Sequence, residues 1–193
     1  MHKLKEMKTE KEKMLDGEFY NAADVQLTNE RHKTRQLLRK YNNIPEDEIQ
    51  NRNTQLNELL PNTGTGLEIQ PPFYCDYGSN IVLGDNVYFN FNCVILDVTR
   101  VIIGNRCLFG PAVQIYSATH PMDHAQRAAG LEFGKPVTIG DDVWVGGNVT
   151  ICPGVSIGDR AVIGAGSVVT KDIPSGVFAA GNPCKVIREL KKI

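Results

Sequence analysis

Several features that announce common functions are missing from this sequence. It has one tryptophan, and its five cysteines are odd in number and nowhere closer than 14 residues apart, so neither a CxxC redox pair nor a zinc knuckle can form. Free thiols in that pattern suit a reducing compartment, and a cytoplasmic protein is expected. No run approaches the about 18 apolar residues that cross a bilayer, and the first 20 residues mix lysine and glutamate instead of building a leader. The expectation is a soluble, unprocessed chain with no membrane partner. A surplus of one charge is missing too. Lys plus Arg number 21 against 22 Asp plus Glu, a formal net charge of -1, which leaves no positive track for a phosphate backbone. Nucleic acid is not an expected partner, and no Walker-type loop or dinucleotide fingerprint occurs.

Glycine is nearly missing from one part of the chain. Of 18 glycines only Gly17 precedes Pro61, whereas residues 1–60 hold 11 basic and 11 acidic side chains. A chain of 193 residues, 41% hydrophobic and 22% charged, is long enough for one compact domain and a modest appendage, and too apolar for disorder. The charged part reads as helical. From Lys3 to Met14, apolar Leu4, Met7 and Met14 stand among lysines and glutamates, and the helix stops at Asp16 and Gly17. A second helix is expected over roughly Ala23 to Tyr41. A third is expected from Pro45, where proline followed by Glu46, Asp47 and Glu48 suits a first turn, to Pro61. Residues 1–60 are thus expected to form a solvated helical cap.

After Pro61 the pattern takes a period of six, which is neither helical nor that of a simple strand. Ile139, Val145, Ile151, Ile157, Ile163 and Val169 follow one another at six-residue intervals. Ile and Val make up 32 of 193 residues, so six hits at six chosen positions would arise by chance at about 2 × 10⁻⁵. The repeat is real. Gly140, Gly146, Gly158 and Gly164 follow the aliphatic, and small or β-branched Val143, Val149, Val155, Ala161 and Ser167 stand four residues after it. Such hexads fit a parallel β-helix, in which each unit is a short strand plus a corner and three units close a triangular turn. The aliphatic points inward and the small fourth residue packs near the corner. The glycine relieves crowding or takes a backbone conformation that other residues resist.

Upstream, Leu83, Phe89 and Ile95, then Ile103, Phe109 and Ile115, keep the spacing, but eight residues separate Ile95 from Ile103. Two extra residues must bulge at a corner there. From Ser117 to Lys135 the repeat vanishes and His120, Pro121, His124, Arg127, Gly130 and Gly134 appear. A loop of that length is usually functional or disordered. The expected organisation is a helical region over 1–60, a β-helix over 61–182 with an excursion loop over 117–136, and a C-terminal segment over 183–193. The period alone leaves the hand of the coil open.

The segments SATHPMDHAQR, GLEFGKPVTIGDDVWVGGNVTICPGVSIG, VIGAGSVVTKDIP and AAGNPCKVIREL, with PFYCDYGSNI and VYFNFN, resemble the galactoside and maltose O-acetyltransferase branch of the hexapeptide-repeat acyltransferases. The resemblance covers nearly the whole chain, including the helical front end. It implies a left-handed parallel β-helix and a homotrimer, with acetyl-CoA as co-substrate in the cleft between adjacent prisms and residues 1–60 on the acceptor side. It also implies an activity. Acetyl would pass from acetyl-CoA to a sugar hydroxyl by direct attack, with no covalent enzyme intermediate and no metal.

Such a transfer needs a base, because a hydroxyl is a weak nucleophile until its proton begins to leave, and histidine suits that task near neutrality. Of four histidines, His2 stands at the terminus, His32 in a charged helix and His124 in the loop. His120 occupies the Thr-His-Pro position of the family and is the expected general base, with Asn90 as the second catalytic candidate. The oxyanion of the tetrahedral intermediate needs a donor, and the resemblance puts the Gly147 N–H there. Acceptor contacts implied by position are Asp76, Tyr88, Asn90, Glu132 and Arg31, while Asp97 either orients a loop or meets the acceptor. Asn90 follows an inward aliphatic where the repeat elsewhere places glycine. Ala22 aligns where galactoside enzymes carry an acid. For acetyl-CoA the matching positions are Trp144, Gly147, Ala165, Thr170, Lys171, Lys185 and Arg188, whose cations would meet the phosphates despite the neutral overall balance.

Other functions of a hexapeptide prism fit less well. A zinc-dependent carbonic anhydrase of this architecture gathers histidines around its metal, and no third histidine falls in the coils. A non-catalytic scaffold has no need of the Thr-His-Pro loop or the basic C-terminal residues. Acetylation of an antibiotic or of serine is the alternative within acyl transfer, and the segments DGEFY and NERHKTR favour the sugar branch.

Overall fold

The computed structural model describes residues 7–191. Its core is a parallel β-solenoid of about six turns, each laying one short strand on each of three faces. The first face stacks Ile81–Leu83, Val101–Ile103, Val137–Ile139 and Ser156–Ile157. The second stacks Glu68–Ile69, Tyr88–Phe89, Leu108–Phe109, Trp144–Val145, Val162–Ile163 and Val177–Ala180, with Lys185–Glu189 added antiparallel at the end. The third stacks Phe73–Cys75, Cys93–Leu96, Gln114–Tyr116, Thr150–Ile151 and Val168–Val169.

The hexad aliphatics sit over one another in register. Leu83, Ile103, Ile139 and Ile157 form one column, Phe89, Phe109, Val145 and Ile163 a second, and Ile95, Ile115, Ile151 and Val169 a third. None of them is more than 4% exposed. Each such burial stabilises the fold by about 1.5–3 kcal/mol, which is how strands of two or three residues persist. The Phe89 and Phe109 rings stack with centroids 4.3 Å apart. Val143, Val149, Val155, Ala161 and Ser167 are buried as well, pointing into the prism where the chain leaves each corner.

Of the two reasons for the glycines after the aliphatics, crowding is the one that holds. A Cβ on Gly84 would lie 2.6 Å from Asn105 Oδ1, the atom that accepts the Asp85 N–H. The same ladder continues up the corner, with the Asn105 N–H donating to Asp141 at 2.8 Å and the Asp141 N–H to Asp159 at 3.0 Å. Glycine leaves room for the carboxylate or amide of the next coil. Left-handed backbone falls two residues later, on Asn86, Arg106, Asp142 and Arg160.

Three helices precede the prism, and the last two close its open end. Helix α1, Glu10–Leu15, starts on a capping box between Thr9 and Glu12 that pattern reading passed over, and it stops at Asp16 and Gly17 as expected. The expected start at Lys3 lies outside the described residues, as does His2. Helix α2, Val25–Asn42, is capped by Asp24, whose carboxylate accepts the N–H groups of Gln26 and Leu27. Helix α3, Ile49–Leu59, begins later than the proline signal predicts. Pro45 opens a turn instead, its carbonyl accepting the Glu48 N–H, so the three acids precede the helix. The cap is also less solvated than its charge implies. Leu38, Tyr41, Leu56, Leu59 and Leu60 are buried with Ile69 and Phe73 of the first coil, which would otherwise expose its aliphatics. No helix among the described residues is long and apolar enough to cross a membrane.

The irregular coils are what position a site. Register gives 20 residues from Leu83 to Ile103 but 18 from Ile139 to Ile157. The two extra residues fall at the corner between the third and first faces, as the Ile95 to Ile103 spacing predicts. The same eight-residue step separates Cys75 from Leu83 in an earlier coil that the hexad pattern does not reveal, since Cys75 pairs with Ile95. The excursion leaves the next coil at this corner. It is an antiparallel hairpin, Ala118–Thr119 with Leu131–Gly134, carrying the short helix α4, His124–Ala128, at its tip.

Candidate active site

Two widened corners, the hairpin and the cap meet around a cavity of about 280 Å³ lined by Tyr20, Arg31, Arg35, Asp76, Tyr77, His120 and Glu132, among others. The strand Tyr20–Asn21 pairs antiparallel with Leu131–Gly134 and sets Tyr20 opposite Glu132. The Tyr20 hydroxyl donates to Glu132 Oε2 at 2.8 Å. Arg31, on α2, donates to the Tyr77 hydroxyl and to the Ala22 carbonyl, both at 2.6 Å, and its guanidinium lies over the Tyr77 ring at 5.7 Å.

His120 stands where the hairpin leaves the prism. Its Nδ1 lies 3.4 Å from the Leu131 carbonyl oxygen. A carbonyl only accepts, so in the neutral ring that contact puts the proton on Nδ1 and leaves the lone pair on Nε2. Nε2 is 3.9 Å from Glu132 Oε1. Burial raises the Asp76 carboxyl above its ordinary range, opposed by the charge of Arg31. Burial, then the bond to Glu132, raises the Tyr20 phenol, and burial pushes the Tyr77 phenol up to about 12. Both phenols therefore keep their protons at any working pH.

The remaining predicted residues lie elsewhere on the chain. Asn90, Gly147 and Ala165 follow strands of the second face and stack at the corner between the second and third faces. Tyr88 and Trp144 sit on the second face itself, with Trp144 55% exposed. The Asn90 amide has a local task, since its Oδ1 accepts the Phe91 N–H at 2.8 Å. One coil on, Pro111 has no N–H to satisfy. Among the described residues neither the Gly147 nor the Ala165 N–H finds an acceptor within the chain. Lys185 and Arg188 lie on the terminal strand, where the Arg188 guanidinium sits 5.7 Å above the Phe178 ring. Thr170 and Lys171 are exposed after the last strand of the third face, at the corner shared with His120.

One chain thus gathers His120, Asp76, Glu132 and Arg31, and keeps Asn90, Tyr88, Trp144, Gly147 and Ala165 at another corner. His124 is the first residue of α4 at the tip of the hairpin, where Asp123 supplies the cap. Tyr20, Arg35 and Tyr77 escape sequence reasoning, although Tyr20 ends DGEFY and Tyr77 lies in YCDYG. Among the described residues no group of three His, Cys, Asp or Glu side chains is gathered as for a metal ion.

Family models match both parts of the chain. One described as "Maltose acetyltransferase hexapeptide capping motif" covers residues 13–64, and one described as "Bacterial transferase hexapeptide (six repeats)" covers residues 136–171. The crystal structure of a maltose O-acetyltransferase from Clostridium difficile 630 is similar with a TM-score of 0.94 at 48% identity, covering 96% of this chain and 99% of that one. The chain belongs to the maltose and galactoside O-acetyltransferase family. A galactoside acetyltransferase solved in complex with coenzyme A is also similar, with a TM-score of 0.93 at 40% identity over 96% of this chain and 92% of that one. Nodulation protein L of Rhizobium meliloti (strain 1021) is 52% identical over 179 residues, 93% of this chain and 98% of that protein. The solenoid of this acetyltransferase is a left-handed parallel β-helix. Its capping motif spans the end of α1, the strand Tyr20–Asn21, α2 and α3, and so includes the strand that carries Tyr20 and the helix that carries Arg31 and Arg35 to the cavity.

Proposed function

We propose that this acetyltransferase moves acetyl from acetyl-CoA to a sugar hydroxyl, with His120 as general base, in a homotrimer whose clefts hold both substrates. The observation that carries this reading is the state of His120, with Nδ1 on the Leu131 carbonyl and Nε2 free beside Glu132. Nε2 takes the hydroxyl proton as the sugar oxygen attacks the thioester carbonyl carbon. The Gly147 N–H meets the oxyanion, the C–S bond breaks, and the imidazolium returns its proton to the sulfur of the leaving CoA. Glu132, fixed by Tyr20, stabilises the imidazolium between those steps.

The cavity of about 280 Å³ sits at the small end of ligand pockets, which run from about 300 to 1,000 Å³, and suits one sugar ring better than a coenzyme. Asp76, Glu132 and Arg31 offer it acceptors and a donor. The coenzyme has its own surface. The free N–H at Ala165 suits a pantetheine carbonyl, Trp144 gives an exposed apolar wall, and Lys171, Lys185 and Arg188 supply cations for the phosphates. Tyr88 and Asn90 lie along that same edge.

The separation of the two groups supports the trimer. A cleft between adjacent prisms would set the His120 corner of one copy against the Asn90 corner of the next, and each cleft would then be complete. Free cysteines, four of them buried, suit a cytoplasmic site of action.

Thiol release from acetyl-CoA, followed with glucose, maltose, galactosides, serine and antibiotics, tests the reading. Turnover with sugars is expected, falling at least about 100-fold in His120→Ala while CoA binding persists. Undiminished turnover in that variant overturns the base, and turnover confined to serine or antibiotics overturns the sugar.

A further inference from the structure

We propose that Asp97 is a positioning residue for the acceptor: its buried carboxylate holds the Asp76–Tyr77 corner, and through that backbone the side chains that meet the sugar. The inference rests on the acceptor reading of the cavity. Asp97 opens the widened corner at residues 97–100, directly beneath the widened corner at 76–80. Its Oδ1 accepts the N–H groups of both Asp76 and Tyr77, each at 2.9 Å. Its carbonyl accepts from Asn80 Nδ2 at 2.7 Å, so one residue ties down both ends of the upper corner. The Tyr77 hydroxyl in turn receives Arg31, and Asp76 lines the cavity.

Folding alone gives a poor reason for an acid here. Asp97 has 0% exposure, and among the described residues its Oδ2 is buried with no hydrogen-bond partner. Burying a carboxylate with one bare oxygen costs more than two N–H bonds return. One coil further on, a neutral hydroxyl does the equivalent work. Ser117 Oγ accepts the Thr99 N–H at 3.0 Å and donates to the Leu96 carbonyl at 2.9 Å. At the widened corners, a buried carboxylate stands beneath Asp76 and Tyr77, which line the cavity, and a hydroxyl stands beneath Thr99, which does not. A carboxylate oxygen can hold two N–H groups at once, and both of the backbone amides it holds belong to residues whose side chains line the cavity.

The test compares Asp97→Ala, Asp97→Asn and Asp97→Ser with the wild type, reading acceptor KM, acetyl-CoA KM and amide hydrogen exchange at Asp76 and Tyr77. Ile139→Ala serves as a core control that destabilises without touching the corner. Asp97→Ala is expected to raise acceptor KM at least about tenfold with acetyl-CoA KM within about twofold, and to speed exchange at both amides. Asp97→Asn keeps an acceptor oxygen and is expected to stay near wild type in all three. Asp97→Ser, which replaces an acid by the group used at Ser117, stands in should the alanine variant fail to fold, and is expected to fall between. Unchanged acceptor KM in a folded alanine or serine variant, an equal rise in both KM values, or the same KM pattern in Ile139→Ala overturns the proposal. A wild type that acetylates no sugar overturns the acceptor reading instead. Exchange at Asp76 and Tyr77 then decides whether Asp97 holds the corner, and unaltered exchange in the alanine variant refutes it.

Discussion

The Tyr20 hydroxyl donates a 2.8 Å hydrogen bond to Glu132 across 112 residues of sequence. Behind it, Phe19 and Phe133 meet edge to face with ring centroids 5.2 Å apart, and Met14, Tyr20, Leu27, Tyr77 and Val98 form a small core separate from that of the prism. Cap and hairpin therefore behave as one unit. The strand pairing that joins them supplies the far wall of the cavity, and the hydrogen bond fixes the carboxylate beside His120.

Removing the Tyr20 hydroxyl tests that unit with minimal loss of packing. Tyr20→Phe leaves Glu132 Oε2 without its donor, and kcat/KM is expected to fall about tenfold, the equivalent of about 1.4 kcal/mol. The thermal midpoint should move little, since a single hydrogen bond contributes about 1 kcal/mol. Steady-state thiol release with unchanged kcat/KM would show that Glu132 needs no such hold.

The Asx ladder gives a stability prediction of a different kind. Gly84→Ala drives a methyl group to 2.6 Å from Asn105 Oδ1 and 2.8 Å from the Asn105 nitrogen, and the neighbouring atom is backbone that cannot swing away. Overpacking of this sort costs about 1–3 kcal/mol. Gly130→Ala, where nothing lies within 4 Å, bears only the strain of a left-handed backbone and should cost about 1 kcal/mol. Thermal melts at fixed protein concentration that rank the two variants the other way would contradict the crowding account.

Much of this was legible in the residues, and the limits have physical causes. The hexads from Ile139 to Val169 show themselves because every inward position must be aliphatic to stack on its neighbours. The eight-residue step after Ile95 marks the corner where the site lies. Its twin between Cys75 and Leu83 stays hidden because Cys75 is no obvious aliphatic and Ile69 has no earlier partner. Tyr20 and Tyr77 escaped for another reason: their role comes from contacts across 112 residues and from α2, which no local period encodes. The glycines illustrate ambiguity of cause. A glycine for a left-handed turn and a glycine for a neighbour's side chain look identical in sequence, and only the coil above tells them apart.

Asp97 also makes the stability of the fold depend on pH. Burial raises its carboxyl to about 7, with the charge of nearby Asp76 adding to the effect and the N–H groups of Tyr77 and Asp76 opposing it. A raised acid pKa means that the native state binds the proton more tightly than the unfolded chain. Its contribution is full below the ordinary value of 3.8 and is lost as pH rises through about 7. Asp97→Asn cannot titrate. The wild type should therefore gain stability relative to Asp97→Asn on acidification from pH 7.5 to 5, by an amount on the order of a few kcal/mol at most. Taking the difference between the two proteins cancels the opposite trend from Glu10, Asp85 and Asp141, whose carboxyls are lowered by hydrogen bonds. Parallel stability curves would mean that Asp97 is ionised in the fold at every pH tested.

The separation of His120 and Asn90 on one chain permits a decisive test of the shared cleft. His120→Ala and Asn90→Ala are each expected to be inactive as pure trimers, because every cleft then lacks one of the two side chains. In trimers assembled at random from equal amounts of both, a cleft works when a chain that keeps His120 is followed by one that keeps Asn90. Each condition holds half the time, so about one quarter of wild-type clefts should be restored in the cyclic arrangement of a homotrimer. Coexpression followed by thiol release from the unselected mixture measures that fraction, and tandem purification on two different tags, which discards the pure trimers, should raise it to about one third. If the site lay within one chain, every chain in the mixture would carry a defect and no activity would return. Full activity of the pure Asn90→Ala trimer would show instead that the amide only caps Phe91.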